Sequence, residues 1–187
     1  MIDGKTKVLG VIGDPIEHTF SPAMHNAGLK ELNLNYTYLP FHVSEDNLQK
    51  AINGAKSLNF AGLNVTIPHK IAILNTLDEI DPIAKMIGAV NTVKFSLNEN
   101  NEKIATGYNT DGFGCVKAIC EVSSLKDKNV VITGAGGAAR AIAFQIANSK
   151  INNLSILNRN YNKAVYLSKD LNNKLSDIDI NINSYEI

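Results

Sequence analysis

Short apolar runs alternate along the chain with amphipathic stretches of helical spacing, an order typical of α/β proteins. In the first part of the chain, the apolar runs that we interpret as strands cover residues 7–13, 36–43, 60–67, 90–96 and 104–110. A polar turn separates the last two runs, which therefore predict a β-hairpin. Helical stretches separate the other runs, as they separate parallel strands joined by crossover helices.

Capping residues mark the helix starts between these strands. Ser21 followed by Pro22 predicts an N-cap and a first-turn proline. Ser44, which two acidic residues follow, predicts the start of a second helix, and Pro68 predicts the start of a third, short one. We therefore expect residues 1–110 to form an α/β domain with a mainly parallel sheet.

The rest of the chain, residues 111–187, has the pattern of a second unit. A helix over about 111–121 precedes the run KNVVIT (128–133), a continuous apolar run typical of a strand buried on both faces. The elements predicted after a glycine-rich turn are a helix to residue 148, a strand at 153–158, a helix from about 162 to 171 and a strand at 178–183. This βαβαβ order is one half of a doubly wound nucleotide-binding fold, so we predict a partial Rossmann-type domain.

Composition narrows the classes of partner. The 187 residues are 44% hydrophobic and carry 18 Lys plus Arg against 18 Asp plus Glu, which indicates a globular chain and argues against nucleic-acid binding. No apolar run is long enough to cross a bilayer, and we expect a cytoplasmic protein. Cys115 and Cys120 lie five residues apart in a predicted helix, which predicts reduced thiols. The four histidines lack the spacing of metal ligands, so no metal is expected.

The glycine-rich turn predicts a dinucleotide site. The segment GAGGAA (134–139) matches G-x-G-x-x-[GA] between a predicted strand and a predicted helix. Gly134 permits a tight turn, Gly136 lets the backbone approach a pyrophosphate, and Ala139 permits close packing of the helix on the strand. The alternative is an ordinary strand-to-helix turn. The predicted cofactor-binding residues of the turn are Gly134, Ala135, Gly136, Gly137 and Ala138.

The end of the next strand favours NADP over NAD. An acidic residue at this position binds the ribose 2′-hydroxyl of NAD, whereas this chain has Asn158 and Arg159. Arg159 can pair with a phosphate, and Lys163 supplies a second cation one turn into the next helix. The alternative is that both cations are solvated surface residues.

Four polar stretches follow predicted strands or precede predicted helices, where open α/β sheets bind ligands. They are HTFSP (18–22), NVTIPHK (64–70), GAVNT (88–92) and GYNTDG (107–112). Thr19 and Ser21 could converge on a carboxylate, although Ser21 could equally be only a helix cap.

Lys70 and Asp111 are candidates for a charged pair. A cation at a helix start is electrostatically unfavourable, and a carboxylate partner for Lys70 would remove that cost. Asp111 is the obvious partner, since it ends the first domain at another helix start. From the pattern alone, Lys70 could also be a solvated lysine and Asp111 an N-cap.

Taken together, these motifs resemble the shikimate dehydrogenase family along the whole chain. The segments that carry the resemblance are, in the order of the family, GDPIEHTFSPAMHN, GLNVTIPHK, GAVNT, GYNTDG, VVITGAGGAARA and LNR. The resemblance implies a substrate-binding and catalytic domain at 1–110, an NADP-binding domain at 111–187, and NADP-dependent reduction of 3-dehydroshikimate to shikimate. The roles that it implies are a catalytic pair at Lys70 and Asp111, a substrate carboxylate held by Thr19 and Ser21, and ring hydroxyls bound by Thr66 and Asn91.

The chain departs from the family pattern in three places. Thr19 and Asn160 stand where the family commonly has serine and threonine, and the added methyl of Thr19 could favour quinate as substrate. The chain also ends before the later part of the nucleotide domain, so we expect a piece of a longer protein. A quinate-using dehydrogenase and an inactive binding fragment are therefore the alternatives, and a homodimer is a further expectation.

Overall fold

The structure is a computed structural model that describes residues 2–176 and 181–186. The chain divides into two compact units, the first ending at Tyr108 and the second beginning at Asn109. In these described ranges, no helix combines the length and the apolarity that crossing a bilayer requires.

The first unit contains a mixed six-stranded sheet. Its strands are β1 (Lys7–Gly13), β2 (Tyr36–His42), β3 (Gly62–Val65), β4 (Glu79–Ile80), β5 (Thr92–Leu97) and β6 (Lys103–Tyr108). They lie in the order β2-β1-β3-β5-β6-β4. β1 pairs in parallel with β2 and β3, and β4 with β6, whereas β5 runs antiparallel to β3 and β6. The mainly parallel sheet and the hairpin are confirmed, and β4 is an element that the pattern did not predict.

Helices connect these strands. They are α1 (Ser21–Glu31), α2 (Leu48–Ser57) and α3 (Pro82–Ile87), with 3-10 turns at Glu45–Asn47 and Ala72–Thr76. The predicted N-cap at Ser21 is wrong, because Ser21 is already the first helical residue and Phe20 occupies the N-cap position. The hydroxyl of Thr19 accepts a hydrogen bond from the Ser21 N–H at 3.2 Å, so the chain turns into the helix one residue early.

The predicted helix at Pro68 is also wrong. Residues 67–71 form turns, and a 3-10 helix follows at Ala72–Thr76. The N–H of His69 donates to the Thr66 carbonyl three residues earlier, at 2.9 Å, which closes a 3-10-type turn where the α-helix was predicted to begin. Lys70 therefore does not lie at the N-terminus of an α-helix, and the expected cost of a cation there does not arise.

The core of the first unit lies between α2 and one face of the sheet. Leu48, Ile52 and Ala55 of α2 are buried against Ile12 of β1 and Val65 of β3. Because close-packed interiors resist deformation, the loops that follow β1 and β3 start from fixed positions.

The second unit is a parallel three-stranded sheet with helices. Its elements are α4 (Asp111–Cys120), β7 (Asn129–Thr133), α5 (Gly137–Ala147), β8 (Asn153–Leu157), α6 (Tyr161–Lys174) and β9 (Asn181–Tyr185). The strand order is β7-β8-β9 and both pairings are parallel. The predicted half of a doubly wound fold is confirmed, while residues 178–180 of the predicted last strand lie outside the described residues.

The expectation that β7 is buried on both faces is wrong. Its side chains alternate between exposed and half-buried, and Val131 is 60% exposed. Within the described ranges β7 pairs with β8 alone, so it forms the edge of the sheet with one face covered. The apolar run therefore predicted the strand correctly, but it did not predict which faces of the strand are covered.

Two glycines of α4 test how closely α4 and α5 pack. A Cβ at Gly112 would lie far inside contact distance of the Ala141 carbonyl oxygen, whereas a Cβ at Gly114 would meet no described atom within 4 Å. We expect Gly112→Ala to lower the free energy of unfolding by about 2 kcal/mol or more, because main-chain atoms must move apart. Gly114→Ala, the matched control, should raise it by about 0.5–1 kcal/mol through helix propensity. Urea titration followed by circular dichroism measures both, and equal effects would contradict this account of the packing.

Candidate functional site

The polar motifs of the first unit gather at one edge of its sheet. We call this the carboxyl edge and define it by Gly13, His42, Val65, Asn91 and Tyr108, where β1, β2, β3 and β6 end and β5 is about to begin. Main-chain hydrogen bonds hold these ends together: Val43 N–H to Gly13 O at 3.1 Å, Val65 N–H to Asn91 O at 2.8 Å, and Asn91 N–H to Tyr108 O at 3.0 Å. The segments 18–22, 64–70 and 88–92 are thus brought to a common edge, as predicted for an open α/β sheet.

A chain of side-chain hydrogen bonds crosses the sheet close to this edge. The Tyr38 hydroxyl donates to Asn64 Oδ1 at 2.7 Å. Asn64 Nδ2 donates to Thr92 Oγ1 at 3.2 Å, and the Thr92 hydroxyl donates to Asn91 Oδ1 at 2.9 Å. We call these four residues the Tyr38–Asn91 relay. The relay connects β2, β3 and the start of β5 through neutral groups that are buried or half-buried.

Helix α1 fixes Tyr38 at the start of the relay. Asn26 Nδ2 donates to the Tyr38 carbonyl, and the Tyr38 N–H donates to Asn26 Oδ1, both at 2.9 Å. β2 is the outermost strand, so one side-chain amide satisfies two main-chain groups that a further strand would otherwise bind. The His25 ring stacks on the Tyr38 ring with centroids 4.3 Å apart.

The Tyr38 hydroxyl keeps its proton. Burial raises the pKa of Tyr38 to about 12, and the hydrogen bond from Ser21 opposes this rise only in part. Because that pKa lies far above neutrality, the hydroxyl is a hydrogen-bond donor across the physiological pH range.

The predicted substrate-binding residues of the first unit all lie near the carboxyl edge. Thr19 and Ser21 are half-buried where the chain enters α1, and the Ser21 N–H donates to Thr19 Oγ1 at 3.2 Å. Thr66 directly follows β3, where its N–H donates to the Ile12 carbonyl at 3.0 Å. Asn91 is 8% exposed and is the last member of the relay. Thr66 and Asn91 therefore lie at neighbouring strand ends of the carboxyl edge, while Thr19 and Ser21 lie together at the start of α1.

Lys70 is held in place by its neighbours along the chain. The Lys70 carbonyl accepts a hydrogen bond from the Val90 N–H at 2.8 Å, directly beside Asn91. His69 is fully buried, and its Nε2 donates to the Val43 carbonyl at 2.6 Å, while among the described residues its Nδ1 has no partner. The buried imidazole anchors the turn, and Lys70 itself is half-buried.

Asp111 lies in the second unit. It is the first residue of α4, and Thr110 occupies the N-cap position, so the predicted N-cap role of Asp111 is wrong. The Asn109 side-chain oxygen accepts a hydrogen bond from the Asp111 N–H at 3.1 Å, so Asp111 is already helical and the N-cap lies one residue before it. A carboxylate in the first turn of a helix is stabilised by the helix dipole.

The glycine-rich turn lies between β7 and α5. Gly134 has a φ of +116°, which L-residues rarely adopt, and its N–H donates to the Leu157 carbonyl at 2.7 Å. Gly136 is the N-cap residue of α5 with φ −86° and ψ −174°, a conformation open to any residue. A Cβ at Gly136 would meet no described atom within 4 Å, so the fold does not require glycine there. A pyrophosphate against the backbone would require it, and the turn fits a dinucleotide in this respect.

Ala135, Gly137 and Ala138 complete the turn. Ala135 precedes the N-cap residue, and Gly137 and Ala138 form the first turn of α5. The first N–H groups of a helix have no partners within the helix, so this segment suits phosphate oxygens.

The end of β8 supplies the predicted phosphate contacts. Arg159 and Lys163 are exposed, and Asn158 Nδ2 donates to the Asn160 carbonyl at 2.8 Å. Asn160 is the N-cap of α6, and its Oδ1 accepts the Lys163 N–H at 3.2 Å. Because this bond uses Asn160 Oδ1, only the amino group of Asn160 could donate to a phosphate, while the two exposed cations suit the 2′-phosphate of NADP.

Three polar residues of the relay were not singled out from the sequence. Asn64 and Thr92 lie at the ends of the segments NVTIPHK and GAVNT, but no role was predicted for either, and Tyr38 lies in none of the four polar segments. The available signal was Asn64, an amide between Leu63 and Val65 in a strand, which the alternation of strand side chains places on the opposite face from its neighbours. In the described ranges, no three His, Cys, Asp or Glu side chains gather as metal ligands would.

Comparison with known proteins identifies the family to which both units of the chain are similar. Residues 11–93 match the shikimate dehydrogenase substrate binding domain, and residues 116–187 match the shikimate / quinate 5-dehydrogenase family. The shikimate dehydrogenase (NADP(+)) of Methanobrevibacter smithii is 58% identical over 95% of this chain, which spans 61% of that relative. That of Methanococcus maripaludis strain C7 is 50% identical over the whole chain, which covers 68% of it.

A solved structure gives the same result. The crystal structure of a shikimate dehydrogenase in complex with NADP+ superposes with a TM-score of 0.88 at 49% identity, covering 98% of this chain and 63% of that one. The chain therefore belongs to the shikimate dehydrogenase family.

Proposed function

We propose that the protein is an NADP-dependent shikimate dehydrogenase, which reversibly reduces 3-dehydroshikimate to shikimate in aromatic amino acid biosynthesis. The observation that carries the proposal is the Tyr38–Asn91 relay at the carboxyl edge, with Lys70 bound through its main chain to the residue before Asn91. Hydroxyl and amide groups beside a lysine suit a small polyhydroxylated acid whose carbonyl is to be reduced.

The first unit supplies the groups that bind such a substrate. The hydroxyls of Thr19 and Ser21 bind the carboxylate, since both lie where the chain enters α1. The Thr66 hydroxyl and the Asn91 amide bind ring hydroxyls. Neutral donors suffice for a single carboxylate in a partly buried place, because hydrogen bonds to a charged group are stronger than neutral ones.

Lys70 is the proposed proton donor. NADPH, when bound, supplies the hydride that reduces the substrate carbonyl. Negative charge then develops on the carbonyl oxygen, and the Lys70 ammonium neutralises it by donating a proton. In the oxidation direction the neutral Lys70 amine accepts the proton of the substrate hydroxyl. Asp111 is the second proposed catalytic residue.

The second unit is proposed to bind NADP. Gly134, Ala135, Gly136, Gly137 and Ala138 receive the pyrophosphate, where the start of α5 favours negative charge. Asn158, Arg159 and Lys163 bind the 2′-phosphate, and Arg159 can make two parallel hydrogen bonds to it.

Location and assembly complete the proposal. Cys115 and Cys120 are free thiols, as a reducing cytoplasm would keep them. We also propose a homodimer, which sedimentation analysis tests.

Turnover with shikimate and NADP, compared with quinate and NAD, tests the substrate. Preference for quinate would overturn the choice of shikimate. Thr19→Ser, which removes the methyl group and keeps the hydroxyl, would then be the first variant to test.

We expect Lys70→Ala to lower kcat for shikimate oxidation by about 100-fold or more, with the KM for shikimate within about twofold, because general acid-base groups act mainly in the transition state. Lys94→Ala is the matched control, an exposed lysine of the same sheet. Steady-state NADPH formation measures both. An unchanged kcat in Lys70→Ala would remove Lys70 from the mechanism. If Lys70 and Asp111 act as one unit, adding Asp111→Asn to Lys70→Ala lowers kcat little further.

We expect Arg159→Ala to weaken NADP binding roughly tenfold and to leave NAD binding unchanged, because only NADP carries the 2′-phosphate. Gly136→Ala should weaken the binding of both NADP and NAD, because its methyl group occupies space that the pyrophosphate needs. Its thermal stability should be unchanged, because a Cβ there meets no described atom within 4 Å. Titration calorimetry gives the dissociation constants, with Lys169→Ala on an exposed position of α6 as control. Equal losses of NADP and NAD affinity in Arg159→Ala would contradict the assignment of the 2′-phosphate.

A further inference from the structure

The Asn91 main chain fixes which groups of the Tyr38–Asn91 relay donate and which accept. The main-chain carbonyl of Asn91 can only accept hydrogen bonds, and Asn64 Nδ2 lies 3.4 Å from its oxygen. If the Asn64 amide were turned over, its own oxygen would face this carbonyl oxygen. The amino group of Asn64 therefore points to Asn91 and Thr92, and Asn64 Oδ1 points to Tyr38.

Each further step follows from this orientation. Asn64 Oδ1 can only accept, so the Tyr38 hydroxyl must donate to it. Thr92 Oγ1 accepts from Asn64 Nδ2, which leaves the Thr92 proton for Asn91 Oδ1. In the structure, Asn91 Oδ1 accepts this proton at 2.9 Å, so the oxygen of the Asn91 amide faces Thr92.

We propose that Tyr38 is a positioning residue for the substrate, because its hydroxyl holds the oxygen end of the Asn64 amide, whose amino group binds Thr92 and so reaches the Asn91 amide. The proposal rests on the proposed function, in which Asn91 binds a ring hydroxyl of shikimate. Tyr38 acts through Asn64 and Thr92 and does not touch the reacting atoms. The Asn91 amino group is then the donor that a substrate hydroxyl oxygen meets.

The surroundings of Tyr38 suit this role. Its ring is held by the stack with His25 and its main chain by the Asn26 amide, so the hydroxyl oxygen has a fixed position.

Tyr38→Phe is the decisive variant, because it keeps the stacked ring and removes only the hydroxyl. We expect the KM for shikimate to rise roughly three- to tenfold, the loss of one neutral hydrogen bond, with kcat and the KM for NADP within about twofold. Tyr36→Phe, the same change at the other tyrosine of β2, is the matched control and should change none of these constants. Thr92→Val, which breaks the relay at a later bond, should reproduce the effect of Tyr38→Phe and replaces it if that variant does not fold.

A second measurement needs no substrate. The side-chain amide signal of Asn91 in the proton–nitrogen NMR spectrum is identified as the one that Asn91→Asp removes. This signal should move in Tyr38→Phe and Thr92→Val and stay in place in Tyr36→Phe. A signal that stays in place in all three variants would overturn the relay, and a signal that moves without a rise in KM would overturn the positioning role. If the unaltered protein neither binds nor oxidises shikimate, the proposed function fails, whereas the NMR comparison still decides the relay.

Discussion

The main-chain carbonyl of Asn91 is the acceptor on which the carboxyl edge depends. It takes the Val65 N–H at 2.8 Å and the Asn64 amino group at 3.4 Å, so it joins the end of β3 to the start of β5 and also sets the direction of the side-chain relay. A buried polar group without a partner costs about 1–3 kcal/mol, which makes one arrangement of these donors and acceptors strongly preferred over its reverse. The loop that carries Lys70 is bound to the same segment through Val90.

Asparagine recurs wherever one side chain must accept and donate at once. Asn26 satisfies an N–H and a carbonyl of β2, Asn64 transmits the relay, and Asn160 accepts the Lys163 N–H at the start of α6. A carboxylate could fill only the accepting half of the first two roles and would bring a charge into a half-buried place. The relay therefore crosses the sheet without placing a charged group at the carboxyl edge.

Local patterns predicted the elements of the fold well, because hydrophobic periodicity and glycine-rich turns are properties of short segments. The strands, the hairpin and the turn at Gly134 follow from a few consecutive residues each. The N-caps predicted at Ser21 and Asp111 were each misplaced by one residue, since the hydroxyl of Thr19 and the amide of Asn109 compete as partners for the first N–H groups. The exposure of Val131 depends on what lies beside β7, and the relay depends on β2 and β3 flanking β1, two facts that only long-range strand pairing supplies.

The Asn26 amide has a consequence for how copies of the protein meet one another. An outermost strand with open N–H and carbonyl groups is a template onto which another chain can add in register, which is a common route to aggregation. At Tyr38 both groups already bind Asn26, and the opposite border of the same sheet is β4, a strand of only two residues. The contact that holds Tyr38 in place therefore also limits growth of the sheet, and loss of the Asn26 amide would expose a strand border as well as loosen a tyrosine.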